Sequence, residues 1–306
     1  MKVIVIGTIV RDELQYPDGS SSSSLGGLLH TINAALAILG KDDLIVPVSR
    51  VGKDLYTEII SAFREDPRIQ SGGLLPCDQP NNTVELVYQN QSERTEKSLF
   101  PMPTLQFKEV EPYLQGDLVL VNMISGWDID LDFLVQLRGN TRAMIAIDLH
   151  SLMLRRDSDG SRHSRYFAGL EKWIACADII QMNEREFDIQ SGGMINPEQF
   201  FRDVCIQSQN IFNLTKGADG SETYYYQENT IHNLPASPPA EITVIDPTGC
   251  GDAFLAGFGI AWYRSKNIRQ VARAANILAA ITGTFKGLPD PEKVGQMYAE
   301  YVKEDG

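Results

Sequence analysis

Short apolar runs and helical stretches take turns along most of this chain, and that alternation limits its fold more than any other feature. Residues 2–7, 44–51, 118–123, 144–148, 179–182 and 211–215 are apolar runs of strand length. A strand apolar on both faces belongs in a sheet covered on both sides, and such sheets are mostly parallel. Between these runs, 28–39, 56–63, 166–175 and 197–206 carry apolar residues at helical spacing. Strand and helix in alternation predict a doubly wound α/β fold, whose ligands bind beyond the carboxyl ends of the strands. After residue 252 the pattern turns helical, over 253–263, 268–285 and 292–303.

Two segments depart from this pattern. Residues 11–19 and 82–100 alternate polar and apolar side chains, as exposed antiparallel strands do. The serine run 20–24 between the first of them and Gly26-Gly27 reads as a flexible hinge or as a plain surface loop. With no internal repeat and no second apolar core, 1–306 reads as one domain with these segments inserted in it.

Composition narrows the function by exclusion. A formal net charge of −13 argues against nucleic acid or an anionic membrane surface as partner. It leaves nucleotides open, since these are held by local N–H groups, cations and Mg²⁺. Four scattered cysteines (Cys77, Cys176, Cys205, Cys250) and four scattered histidines show neither disulfide nor zinc spacing. The opening run MKVIVIG is a strand interrupted too early by Arg11 and Asp12 to be a signal peptide, and no run has transmembrane length. A cytoplasmic protein is expected.

The chemistry is concentrated in Asp246-Pro247-Thr248-Gly249-Cys250-Gly251-Asp252, which opens an apolar helix. Glycines let such a turn aim several N–H groups at one point, and the helix behind it adds partial positive charge. A phosphate would be held there. A carboxylate beside a phosphate makes sense where a hydroxyl must lose its proton as a phosphoryl group arrives, which points to Asp252 as base. The structural alternative is an ordinary Asp helix cap. Neither a GxxxxGK[ST] loop nor a GxGxxG turn is present.

This string and the helix after it resemble the ribokinase, or PfkB, family of carbohydrate and nucleoside kinases, and looser likeness extends over nearly the whole chain. The resemblance implies a ribokinase-like doubly wound, mostly parallel sheet with a small β lid built from segments such as 11–19 and 82–100. It implies an anion hole at Gly249, Cys250 and Gly251, with Asp252 as base. Gly26-Gly27-Leu28-Leu29-His30-Thr31 is similar to the family's GGxxxN signature, with Thr31 where the family has Asn. Gly26, Gly27, Thr31 and Asp12 are thereby implied on the acceptor side. Asn183-Glu184-Arg185-Glu186 resembles the NxxE motif, which would place Glu186, with Asn183, on Mg²⁺ through water; a capping box fits the spacing equally well. Thr215-Lys216-Gly217-Ala218-Asp219-Gly220 resembles the turn that receives nucleotide phosphates, and Asn276 falls on the helix beside the adenine. Asp246 is implied at a monovalent-cation (K⁺) site.

Asp148-Leu149-His150, Asn122 and Trp127 lie on the same rim without an assigned role. The expectation is an ATP- and Mg²⁺-dependent kinase acting on a sugar hydroxyl. A nucleoside kinase and a non-catalytic sugar- or nucleotide-binding relative are the alternatives, and a homodimer would form through the lid edges.

Overall fold

The computed structural model describes residues 1–15, 18–88, 94–193 and 195–303. Nine strands, numbered along the chain, form its central sheet. They are β1 (Lys2–Ile6), β4 (Leu44–Gly52), β5 (Leu74–Cys77), β8 (Leu118–Asn122), β9 (Met144–Asp148), β12 (Ile179–Asn183), β13 (Ile211–Thr215), β14 (Ser221–Gln227) and β15 (Thr230–Ala236). Their order is β15-β14-β13-β12-β9-β8-β1-β4-β5. Every pairing from β13 to β5 is parallel, and β14 and β15 add an antiparallel edge.

Side chains alternate between two buried layers, as the period of two requires. Ile4, Ile6, Val119, Val121, Ile145 and Ile147 meet one layer; Val3, Val5, Leu118, Leu120 and Ala146 meet the other. The first layer is covered by α3 (Phe107–Val110), α4 (Leu131–Asn140), α5 (Leu170–Ile174), α6 (Glu184–Ser191) and α7 (Pro197–Phe200). The second is covered by α1 (Leu28–Ile38), α2 (Tyr56–Phe63), α8 (Cys250–Ser265), α9 (Ile268–Thr282) and α10 (Pro291–Lys303). Each large apolar side chain so enclosed contributes about 1.5–3 kcal/mol. The doubly wound fold expected from the alternation is thus present.

A second, four-stranded sheet stands apart, in the order β3-β2-β6-β7, from β2 (Ile9–Gln15), β3 (Ser21–Gly27), β6 (Thr83–Tyr88) and β7 (Arg94–Leu99). Three expectations change here. The serine run is no hinge: residues 21–24 lie in β3, laddered to β2 from Ser21↔Gln15 to Gly27↔Ile9. Backbone pairing, which any side chain allows, decides over the low strand preference of serine. The sheet is also mixed, since β2 and β6 run parallel. The chain passes through β4, α2 and β5 between them, a crossover long enough for a parallel return. Finally, of the segments expected as strands over 11–19 and 82–100, residues 11–15, 83–88 and 94–99 are strand, residues 18–19 are not, and 16–17 and 89–93 lie outside the described residues.

The helix expected over 166–175 begins only at Leu170, because Gly169 precedes it in a left-handed conformation (φ 83°). The β14–β15 hairpin was not foreseen. Glu228 and Asn229 form its turn with positive φ (52° and 62°), the two-residue geometry that matches strand twist. A short hairpin, β10 (Leu154–Arg156) with β11 (Arg162–Ser164), leans on β7 through a Lys97↔Ser161 bridge.

Candidate active site

The carboxyl ends of β8, β9, β12 and β13 carry Asn122, Asp148, Asn183 and Thr215, paired as Asn122↔Asp148 and Asn183↔Thr215, and together they make one row of strand ends. Helix α8 begins over this row. It lies close on the sheet because a Cβ at Gly259 would come 2.8 Å from Leu120 Cδ2. Its N-cap, Gly249, has φ 81°, a conformation that glycine takes without strain. Asp252 follows in the first turn, so its carboxylate leaves the helix beside N–H groups that have no partner inside it. The Cys250 N–H donates to the Pro247 carbonyl at 3.2 Å, which turns it away from the expected donor set of Gly249, Cys250 and Gly251.

Two side chains from opposite directions hold Asp252. The Asn122 amide donates both to its Oδ1 and to Thr31 Oγ1 (2.9 Å), and the Thr31 hydroxyl lies 3.4 Å from the same oxygen. Asn122 and Thr31 are almost wholly buried, and Asn122 Oδ1 has no partner among the described residues. Thr31 comes from α1, whose entry is set by Gly27 (φ 61°) and by the Leu28 N–H on the Thr8 carbonyl (3.0 Å). A Cβ at Gly26 would lie 2.3 Å from Asp12 Oδ2, so glycine leaves the room that the carboxylate takes. Thr31 and Asp252 are thus joined by Asn122, and Asp12 lies against Gly26 where the chain enters α1.

On the other side, Gln181 Nε2 donates to Asp148 (2.8 Å) and to the Gly251 carbonyl (2.9 Å), tying β12 to the first turn of α8. Burial pushes the Asp148 carboxyl up to about 8, helped by the charges of Glu186 and Asp252. Asn183 and Glu186 form the capping box of α6, each side chain bonded to the other's backbone N–H at 2.9 Å. Glu186 also meets the His150 imidazole, Oε1 to Nδ1, at 3.1 Å. Burial works against a charge on His150, but Glu186, Asp148 and Asp252 outweigh it and raise the imidazole to about 9. About half of that side chain (48%) still reaches solvent.

Thr215 ends β13, and the turn after it is closed by the Lys216 N–H on the Gly220 carbonyl (2.8 Å), with Gly217 and Gly220 at positive φ. Lys216 Nζ pairs with Glu222 at 2.9 Å. Asn276 is not brought to this surface. It is buried between α9 and β14, its amide donating to Ser221 Oγ (2.9 Å) and the Ala272 carbonyl (2.8 Å). Asp246 accepts from the N–H groups of Thr248 (3.0 Å) and Gly287 (3.2 Å). Burial pushes its carboxyl up, but these bonds prevail and hold it below the usual carboxylate range. Sequence reasoning left Gln181 out and gave Asn122 no role. Their one signal is a polar residue within or ending an apolar run.

A carboxylate at a glycine-capped helix start, over the carboxyl ends of a doubly wound sheet, suits a class of enzyme that deprotonates a hydroxyl beside a bound anion. The comparisons with known proteins narrow the class. The sequence matches the pfkB family carbohydrate kinase profile over residues 22–293, and the chain belongs to that family. It is 22% identical over 287 residues to the cytidine kinase of Thermococcus kodakarensis, covering 89% of this chain and 92% of the relative. It is 25% identical over 114 residues to an ATP-dependent ribose-1-phosphate kinase of Halopiger xanaduensis, covering 37% of this chain and 35% of that one. Among solved structures, a sulfate complex of a pyrophosphate-dependent kinase in the ribokinase family superposes with TM-score 0.78 at 15% identity, covering 97% of this chain and 100% of that one. The ribokinase of Thermotoga maritima superposes with TM-score 0.74 at 15% identity, covering 98% and 99%. No helix among the described residues is long and apolar enough to cross a membrane.

Proposed function

We propose that this pfkB-family kinase transfers the γ-phosphoryl group of ATP to a hydroxyl of a sugar or sugar derivative, with Asp252 as the base. One observation carries the reading: Asp252 sits in the first turn of α8, bonded through Asn122 and Thr31 to the side where Asp12, Gly26 and Gly27 lie. A hydroxyl seated there meets a carboxylate on one side and the α8 N-terminus on the other. Asp252 takes its proton while N–H groups at Gly249, Gly251 and Asp252 hold the arriving phosphoryl oxygens. Thr215, Gly217 and Gly220 receive the donor phosphates at the neighbouring strand end. The four-stranded sheet acts as the lid that keeps water from the donor.

When bound, Mg²⁺ would neutralise charge on the donor phosphates. Its fit to these residues is that of an ion held largely by phosphate and water, for no group of three or more His, Cys, Asp or Glu that could hold a metal occurs among the described residues. Glu186, positioned by Asn183, offers a carboxylate to such a water. Asp246 stays ionised and suits a monovalent cation such as K⁺ in charge. We place the chain in the reducing cytoplasm, in keeping with its free thiols. It acts as one kinase domain, and any homodimer forms through β3, because β7 is partly covered where the Ser98 N–H reaches the Gly160 carbonyl (2.8 Å).

A nucleoside acceptor is the second reading, favoured by the near full-length match to a cytidine kinase. The deciding experiment offers sugars, sugar phosphates and nucleosides to the protein with Mg·ATP, and separately with pyrophosphate, and follows product formation. Turnover on a sugar with ATP supports the proposal. Turnover on a nucleoside alone selects the second reading, and binding without turnover on any acceptor points to a non-catalytic relative.

A further inference from the structure

His30 is a buried imidazole that none of the assignments above uses. It lies in the first turn of α1, one residue before Thr31, and is only 4% exposed. Its ring reaches across the site. A Cβ at Gly249, the N-cap of α8, would lie 2.4 Å from His30 Nδ1 and 2.7 Å from Cγ. A Cβ at Gly26 would lie 3.3 Å from Nε2. One edge of the ring thus presses against the phosphate-receiving loop, and the other faces the acceptor-side pair of Gly26 and Asp12. Glycine stands at both contacts, because a side chain at either would collide with the imidazole or with the Asp12 carboxylate.

Electrostatics adds a second reason to expect an anion here. Neither α1 nor α8 has a side-chain cap; α1 has no acidic residue in its first turn, and α8 has Asp252 there. The two positive helix ends meet with His30 between them. Nδ1 has no hydrogen-bond partner among the described residues. A buried polar atom without a partner is costly, and in native proteins it calls for an explanation, a bound ion or a catalytic role among them.

We infer that His30 is a positioning residue for phosphoryl transfer, its Nδ1 gaining a partner when the Gly249 turn closes on a phosphate group. Through Nε2 the same ring abuts the acceptor side, so a seated acceptor and a closed loop are braced by one rigid side chain. The inference rests on the kinase reading but is tested partly without turnover.

Asparagine can place an amide nitrogen near the Nδ1 position, and glutamine near that of Nε2. His30→Asn is therefore expected to keep kcat within about threefold of the parent. His30→Gln is expected to lower it about tenfold or more with an unchanged melting temperature. Equal activities in the two folded variants would overturn the inference. A second measurement uses the unaltered protein with ¹⁵N-labelled histidine and inorganic pyrophosphate as probe. A shift of the His30 Nδ1 resonance on saturation supports the inference; an unmoved resonance with pyrophosphate bound elsewhere, or not bound, overturns it. Failure of the kinase reading would show separately, as absence of turnover by the parent on every acceptor.

Discussion

Asn122 gives its amide to two neighbours, Thr31 and Asp252, and so links the proposed acceptor side to the proposed base. Charge-assisted donors aimed at a reacting carboxylate act on orientation more than on binding. Asn122→Ala should therefore lower kcat by about tenfold to a hundredfold with little change in the donor KM. Steady-state kinetics would show it, and an unchanged kcat would remove Asn122 from the account. Titration gives a second residue-scale test. Asp148 is pushed up to about 8, above its ordinary 3.8, so the folded chain keeps a proton that the unfolded chain loses. Its stabilising contribution is whole below the ordinary value and is lost as pH rises through about 8. His150, raised from 6.5 to about 9 and screened by its exposure, has the same sign in the window up to 9. The melting temperature should fall between pH 6.5 and 9, and Asp148→Asn should flatten that fall. A level profile in the parent would contradict the assignment. Of these residues the sequence made Asp252 legible, through its glycine-rich turn. Asn122 and Gln181 were hidden, because the partners that tie them to α8, Asp252 and Gly251, lie 130 and 70 positions away and no local spacing records them.

Helix α8 carries Asp252 at a fixed height over the sheet because Gly259 lets it approach Leu120. Gly259→Val would place carbon where 2.8 Å separates a Cβ from Leu120 Cδ2. Overpacking of this kind costs about 1–3 kcal/mol, which corresponds to a fall of several degrees in melting temperature. Calorimetry should record that loss together with a lower kcat, since the displaced helix moves its first turn; a variant as stable and active as the parent would mean the contact does not set the height. Elements of this kind were legible where periodicity was strong. The parallel strands β1, β4, β8, β9, β12 and β13 and helices α1, α8, α9 and α10 follow from apolar pattern alone, whereas the four-residue edge strand β5 does not. β3 did not, because a serine run has no apolar alternation and its strand form comes from pairing with β2. The capping box at Asn183 and Glu186 was legible from spacing, and it leaves open the proposed role of Glu186 beside a metal-bound water.

At the scale of the whole molecule, the small sheet is moored to the core through the β10–β11 hairpin. Arg162, nearly buried (6% exposed), pairs with Glu96 of β7 at 2.8 Å, and Arg156 Nε donates to the Ser98 carbonyl at 2.8 Å. Removing one partner of such a pair leaves the other charge buried and uncompensated. Glu96→Gln should loosen the lid, raise the acceptor KM and increase ADP release without acceptor by several fold. An unchanged ratio of futile to productive turnover would argue that this mooring plays no part in excluding water. The mixed pairing of the small sheet was not legible, because the long connection from β2 to β6 through β3, α1, β4, α2 and β5 decides strand direction and leaves no local trace. The most direct test of the whole account remains at its centre. Asp252→Asn keeps the side-chain shape but removes the base, and turnover should drop by about a thousandfold or more while calorimetry shows ATP binding within about threefold of the parent. Turnover that survives in this variant would contradict the assignment of Asp252, and with it the mechanism.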